Sequence, residues 1–309
     1  MKKLVSILSS SILSIFISTP NIFAIDAEYV PKLYFRAEKS DNYKTYEDGN
    51  VVIFRSELES NNNMVKASVY IDDESLSCWY VSPKWKCESE YAKLENLIDP
   101  LPMSDDAPNI AYAYAEKNDE GEFTHVRHGT IISTDTRYNT MAFTCQVTSY
   151  MDRSAMKPYG DKSDSYPLTS FDINFASDSP SDDYIVYFLT KPEDYDDQRT
   201  SDVAMRTDEG SIVKQPETKS ITITVTDKKF GDITGDGKVD SNDASAILVA
   251  YSKSSTGLDH GLTNEEFRCG DSDLNCQLTS SDASNILSYY SYLSTTDEPI
   301  NLTKYMNQK

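Results

Sequence analysis

Near its C-terminus the chain carries one loop–helix unit twice, and that duplication constrains the fold more than any other feature. Aligning Asp232 with Asp271 sets an offset of 39 residues. At that offset 241–252 lies over 280–291, and eight of the twelve pairs are identical, among them the Asp-Ala-Ser and Ile-Leu steps. The first unit opens Gly-Asp-Ile-Thr-Gly-Asp-Gly-Lys-Val-Asp-Ser-Asn-Asp over 231–243. Two acidic loops of one pattern, each running into the same apolar helix start, imply two copies of one small structural module.

The pattern of oxygen donors names the ligand. A calcium loop places oxygen ligands at alternate positions, a sharp turn at the sixth residue and a carboxylate at the twelfth. The first loop supplies Asp232, Thr234, Asp236, the backbone carbonyl of Lys238, Asp240 through water, and Asp243. The second supplies Asp271, Asp273, Asn275, the carbonyl of Gln277, Thr279 and Asp282. Two calcium ions are therefore expected. Gly237 occupies the sixth position of the first loop, where positive φ is needed. Cys276 stands there in the second, a non-glycine whose strain is about 1 kcal/mol. That departure makes the second loop the less secure of the two.

The repeat over 230–294 resembles a cellulosomal dockerin of the type I-like group, in which each calcium loop is followed by a helix and no full helix precedes it. The resemblance rests on Gly-Asp-x-x-Gly-Asp-Gly-Lys-Val-Asp-x-x-Asp and on the duplicated helix. It implies a scaffoldin cohesin module as partner. The family's recognition positions fall on Ser241, Asn242, Leu248 and Val249 in the first repeat, and on Ser280, Ser281, Leu287 and Ser288 in the second. Thr234 and Cys276 depart from the pattern, and the insert 253–268 is long, with Thr263-Asn-Glu-Glu-Phe267 suggesting an extra helical turn. A module below about 80 residues has little core of its own. Calcium at a hundred times its Kd adds about 2.7 kcal/mol through linkage.

Composition bounds the setting. The chain begins Met1-Lys2-Lys3, is largely apolar over 4–17 and reaches Ala24 after Ile22 and Phe23, the layout of a secretory signal peptide over 1–24. Its apolar stretch is shorter than the roughly 20 residues needed to span a bilayer. The mature chain is thus expected to be extracellular, with no membrane span. Loss of Lys2 and Lys3 takes the net charge from −21 to −23. Such acidity opposes binding to nucleic acid or anionic membrane.

Secretion permits disulfides. Of Cys78, Cys87, Cys145, Cys269 and Cys276, the close pairs 78/87 and 269/276 are the ones favoured, and Cys145 reads as a buried, inert thiol. Connectivity does not follow from sequence. Free thiols at 269 and 276 are nearly as good a reading as a bridge.

Residues 25–227 read as β and 228–309 as the small calcium unit, with no long Pro/Thr/Ser linker between them, so their relative orientation is expected to be partly fixed. Strand patterns run over 51–54, 65–71, 77–81, 111–115, 129–133, 141–147, 168–175, 184–189 and 220–226; weak helical spacing appears only over 89–97. Short strands separated by turn clusters suggest a jelly-roll-like β-sandwich joined to a small helical unit.

Three functions compete for the sandwich. A recognition module for plant polysaccharide would use aromatics such as Trp79, Tyr80, Trp85, Tyr112, Tyr114, Tyr138, Tyr150 and Tyr159 as stacking surfaces, although single aromatics are more often core. A glycoside hydrolase would need paired carboxylates, one with a raised pKa, for which Glu88, Glu90 and Glu116 are candidates. A protein-binding adaptor is the third, since the pattern loosely resembles cohesin-like and carbohydrate-binding sandwiches. The non-catalytic readings are favoured, and no catalytic residue is assigned. His125 and His128 at i, i+3 would face opposite sides of a strand, which argues against a shared metal.

Overall fold

The computed structural model describes residues 30–40, 42–57, 63–72, 78–98, 113–117, 123–135, 139–147, 167–190, 200–207 and 210–308. The signal-peptide segment 1–24 and Tyr112, Tyr138, Tyr150 and Tyr159 lie outside them.

Alternation of inward apolar and outward polar residues builds the first sheet. In β1 (Lys32–Ala37) Leu33 and Phe35 point inward; in β4 (Met64–Asp72) Val65, Ala67, Val69 and Ile71 do so; in β11 (Thr169–Phe175) Phe171, Ile173 and Phe175 follow. With β15 (Glu217–Lys219) and β7 (Ala92–Ile98) they form a sheet in the order β15-β1-β4-β11-β7. The second sheet comprises β2 (Lys44–Thr45), β3 (Val51–Phe54), β5 (Cys78–Ser82), β6 (Lys84–Cys87), β10 (Thr140–Val147), β12 (Asp182–Phe188), β13 (Asp202–Thr207), β14 (Gly210–Lys214) and β16 (Ile221–Thr226). Their order is β14-β13-β5-β10-β6-β12-β16-β3-β2, with β9 (Phe123–Asp135) also paired to β10 and β8 (Ala113–Lys117) to β9. Pairings are antiparallel except β1 with β15 and β16 with β3. Side chains of both sheets meet in one core around Trp85, Phe143, Phe171, Ile173 and Ile223, so the β region is a sandwich.

Residues 89–97 do not form a helix. They contribute to β7, in which Ala92, Leu94 and Leu97 are buried. The step from 94 to 97 imitates helical spacing because Asn96 adopts φ 51° and the register against β11 slips there, inserting one residue into the alternation. Strands β1, β2, β6, β13, β14 and β15 also escape the sequence patterns; β2 and β15 have only two and three residues, and β15 is wholly exposed.

Four helices follow: α1 (Ser241–Ser255), α2 (Asn264–Gly270), α3 (Ser280–Leu293) and α4 (Leu302–Asn307). The segment at 263–267 becomes the start of α2, capped by Thr263 and Glu266 in a reciprocal pair of side-chain-to-amide bonds. The second loop therefore has a short helix before it, unlike the resemblance's pattern. Ile247 and Ala250 of α1 pack with Ile286 and Tyr289 of α3, and Leu302 of α4 closes the base. At that base Gly231 has φ 94°, and a Cβ there would sit 2.8 Å from Leu302 Cδ2.

The two parts share this second core. Val51 and Ile53 of β3 face the sandwich interior, whereas Val52 and Phe54, with Tyr46, face Phe230, Ile233 and the helices. A strand buried on both faces reads as a continuous apolar run, as Val-Val-Ile-Phe does. Ion pairs and hydrogen bonds add to the seam, including Asn264 Nδ2 to Asp183 Oδ2 at 3.2 Å and Arg268 Nη2 to Asp48 Oδ2 at 2.5 Å. The absence of a long linker thus coincides with a fixed junction. No helix among the described residues is long and apolar enough to cross a membrane.

Candidate metal centre

Each loop wraps its backbone amides around one buried carboxylate and ends on another. In the first, Asp232 Oδ1 accepts from Gly235 N at 2.7 Å and Asp236 N at 3.1 Å, and Oδ2 accepts from Gly237 N at 2.8 Å. Asp243 Oδ1 accepts from the amide and hydroxyl of Thr234, both at 3.0 Å. In the second loop Asp271 accepts from Asn275 N at 3.1 Å and Cys276 N at 2.7 Å, and Asp282 Oδ1 accepts from the amide and hydroxyl of Ser272 at 2.9 and 3.0 Å. Both loops fold the amides of their fifth and sixth residues onto the first carboxylate, whereas the last carboxylate is met by the third residue in the first loop and by the second residue in the other.

Asp243 and Asp282 do a second job. Each is the third residue of its helix and accepts the amide of the capping residue, Asp240 at 2.9 Å or Thr279 at 2.8 Å. Asp240 and Thr279, expected among the ligands, spend side-chain acceptor capacity on the helix amides of Asn242 and Ser281. Loop closure and helix start are therefore one hydrogen-bonded unit.

Electrostatics asks for a cation. Asp232, Asp243, Asp271 and Asp282 are all at most 2% exposed, and no described lysine or arginine pairs with them. Unpaired buried charge is strongly unfavourable. Burial pushes the Asp271 carboxyl up to about 7, with the Asp282 and Asp273 charges adding to the effect. Burial likewise raises Asp243, against the loop hydrogen bonds that favour its charge. Carboxylate oxygens of Asp271, Asp273 and Asp282 lie within 4.8 Å of one another, close enough to share one ion. An all-oxygen donor set of this kind suits a hard divalent cation such as calcium. The three-carboxylate cluster forms in the second loop, the one its Cys276 had marked as weaker.

Of the other expected ligands, Asp236 is exposed with Oδ1 held by Lys238 N at 2.9 Å, and Asn275 Oδ1 holds Gln277 N at 2.8 Å. Thr234 turns its hydroxyl onto Asp243. Lys238 and Gln277 are exposed at the seventh positions.

The expected bridges do not form at the described thiols. Cys87, Cys269 and Cys276 are free. Cys269 is fully buried in the shared core, and burial pushes its thiol well up. Cys276 Sγ instead accepts from Arg268 Nη1 at 3.3 Å. It holds φ 63°, and Leu274 holds φ 64°, where the first loop has Gly237 and Gly235. Each such left-handed non-glycine costs about 1 kcal/mol.

The recognition positions surface as a pair of matching faces. Ser241, Asn242, Ser280 and Ser281 are exposed, as are Leu248, Val249 and Leu287; Ser288 is half-buried. Sequence reading missed Tyr251 and Tyr290, which are 40% and 42% exposed and equivalent across the repeat. Their identity at the 39-residue offset was the available signal.

The sandwich candidates fare differently. Trp85 is fully buried between Phe35, Phe171 and Phe188 and is a core residue. Glu88 is exposed, and Lys86 and Tyr187 hold its carboxyl below the usual range, the opposite of a general acid. Glu90 is exposed. Trp79, Tyr114, Glu116, His125 and His128 fall on β5, β8 and β9.

No family model matches the chain, and no curated protein does. Solved structures similar to it include the seventh ScaB type I cohesin from Pseudobacteroides cellulosolvens, at 10% identity and a TM-score of 0.32, covering 64% of this chain and 93% of that one. A type I cohesin–dockerin complex from Clostridium thermocellum gives 7% identity and a TM-score of 0.35, covering 63% and 99%. The third ScaB cohesin of R. flavefaciens in complex with a group 1 dockerin gives 10% and 0.34, covering 65% and 99%. Overlaps this low carry no assignment of fold or function.

Proposed function

We propose that this chain is a secreted cellulosome component whose C-terminal unit is a calcium-dependent dockerin for a scaffoldin cohesin. The observation that carries the reading is the duplicated loop, with two buried carboxylates in each copy and no described cation against them. Two calcium ions supply the missing charge and hold the start of α1 and α3 in place. Those helices then present Ser241, Asn242, Leu248 and Val249, or Ser280, Ser281, Leu287 and Ser288, to the cohesin. The sandwich serves recognition of polysaccharide or protein on plant cell-wall material, without catalysis.

The test is capture of the full chain on a panel of immobilised cohesins, with calcium and with a chelator. Retention only with calcium, lost when Leu248→Asp and Leu287→Asp are combined, is the expected result. Both residues are more than 40% exposed, so the double variant should melt like the parent. Capture unaffected by chelation and by the double variant would sink the proposal.

A further inference from the structure

We infer that the β2–β3 hairpin of the sandwich is a working part of the second calcium centre, holding that loop in a backbone shape its own residues disfavour. The inference rests on the calcium reading above and goes beyond it. The two loops differ at their two left-handed positions. Gly235 and Gly237 adopt φ 74° and 83° in the first, at no steric penalty. Leu274 and Cys276 adopt φ 64° and 63° in the second, where a side chain is strained. Strained backbone persists only where its surroundings over-determine it.

The surroundings of the second loop come from the sandwich. The carbonyl of Leu274 accepts the Glu47 amide at 2.9 Å. The Cys276 sulfur accepts from Arg268 Nη1, and Arg268 Nη2 is fixed on Asp48 Oδ2 at 2.5 Å. The guanidinium lies 4.6 Å over the Tyr46 ring, and the Tyr46 hydroxyl donates to the Arg268 carbonyl at 2.5 Å. Tyr46, Glu47 and Asp48 all sit in the turn joining β2 to β3, itself closed by Tyr46 N to Asn50 O at 2.9 Å. Each strained residue is thus met by one arm of the hairpin, Leu274 directly and Cys276 through Arg268. The first loop has no such support among the described residues: Gly237 O is held by Lys229, from the connector.

It follows that Asp48, Arg268 and the hairpin turn are positioning residues for the second ion alone. Groups that orient a metal's ligands without touching it typically set its affinity by roughly 10- to 100-fold.

The test is calorimetric titration of the metal-stripped full chain with calcium, the first-loop ion being assigned by its loss in Asp243→Asn. Arg268→Met, which keeps the side-chain stem, should weaken the second ion by about tenfold or more and leave the first unchanged. Asp48→Asn, on the partly exposed turn, should act in the same direction even if Arg268→Met folds poorly. Adding Cys276→Gly to either variant should recover most of the lost affinity, because glycine removes the strain the latch offsets. Two ions bound with affinities indifferent to Arg268→Met and Asp48→Asn would overturn the latch while leaving the calcium reading intact. Equal weakening of both ions, or no recovery with Cys276→Gly, would also overturn it. No calcium bound by the parent chain would remove both.

Discussion

With no divalent ion bound, the protein should become less stable as pH rises through the weakly acidic range, the reverse of ordinary acid denaturation. The group responsible is Asp271, buried beside Asp273 and Asp282, whose carboxyl is raised from 3.8 to about 7 in the folded state. A folded pKa above the unfolded one means that the native protein binds the extra proton between those limits. Its contribution is fully present below about 3.8 and is lost as pH rises toward 7. Each pH unit in that window costs about 1.4 kcal/mol. Between about pH 5 and 7 the metal-free protein should lose roughly 2–3 kcal/mol, or about 4–12 °C of melting midpoint at roughly 2–4 °C per kcal/mol. Asp243 is raised as well, in the same direction. Asp48, Glu88 and Glu266 are lowered; their contribution is present above the ordinary carboxylate range and falls away only below it, outside this window. Calorimetric melts of chelator-treated protein across the range would measure the slope, with Asp271→Asn as the control that should flatten it. Saturating calcium should abolish the downward trend, since the ion replaces the proton. A metal-free midpoint that is flat or climbs from pH 5 to 7 would refute the argument that these carboxylates are an uncompensated cluster.

Two further substitutions probe how the parts are held. Gly231→Ala places a Cβ 2.8 Å from Leu302 Cδ2 and 2.9 Å from Val239 Cγ1 at φ 94°; it should cost about 1–3 kcal/mol in urea unfolding, and a neutral result would mean that α4 is not packed on the loop. Asn139→Ala removes a side chain that accepts from Leu94 N at 2.8 Å and donates to Ala92 O at 2.6 Å and Cys87 O at 2.9 Å. Leaving those backbone groups unpaired should cost about 2–3 kcal/mol, with earlier hydrogen exchange at the β6–β7 turn than elsewhere in the sheet.

The two acidic loops were legible because their pattern is local. Ligand spacing and the capping residues all lie within a dozen positions, so the pairing of Asp232 with Asp243, and of Asp271 with Asp282, could be read from spacing along the chain. Strands such as Val51–Phe54 were legible for a similar reason, their composition leaving few alternatives. What the sequence could not show is which face of that strand meets which partner. Val52 and Phe54 sealing the helical unit, the slip at Asn96 that disguised β7 as helical, and the free Cys269 and Cys276 all depend on neighbours distant in the chain. The Asp48–Arg268 contact joins residues 220 positions apart. By itself the sequence determined the chemistry of the two loops and the repeat of their helices. Only the tertiary structure decided that one loop stands alone on its glycines while the other leans on the sandwich, because a left-handed Leu274 and Cys276 can be held only by groups that folding brings to them.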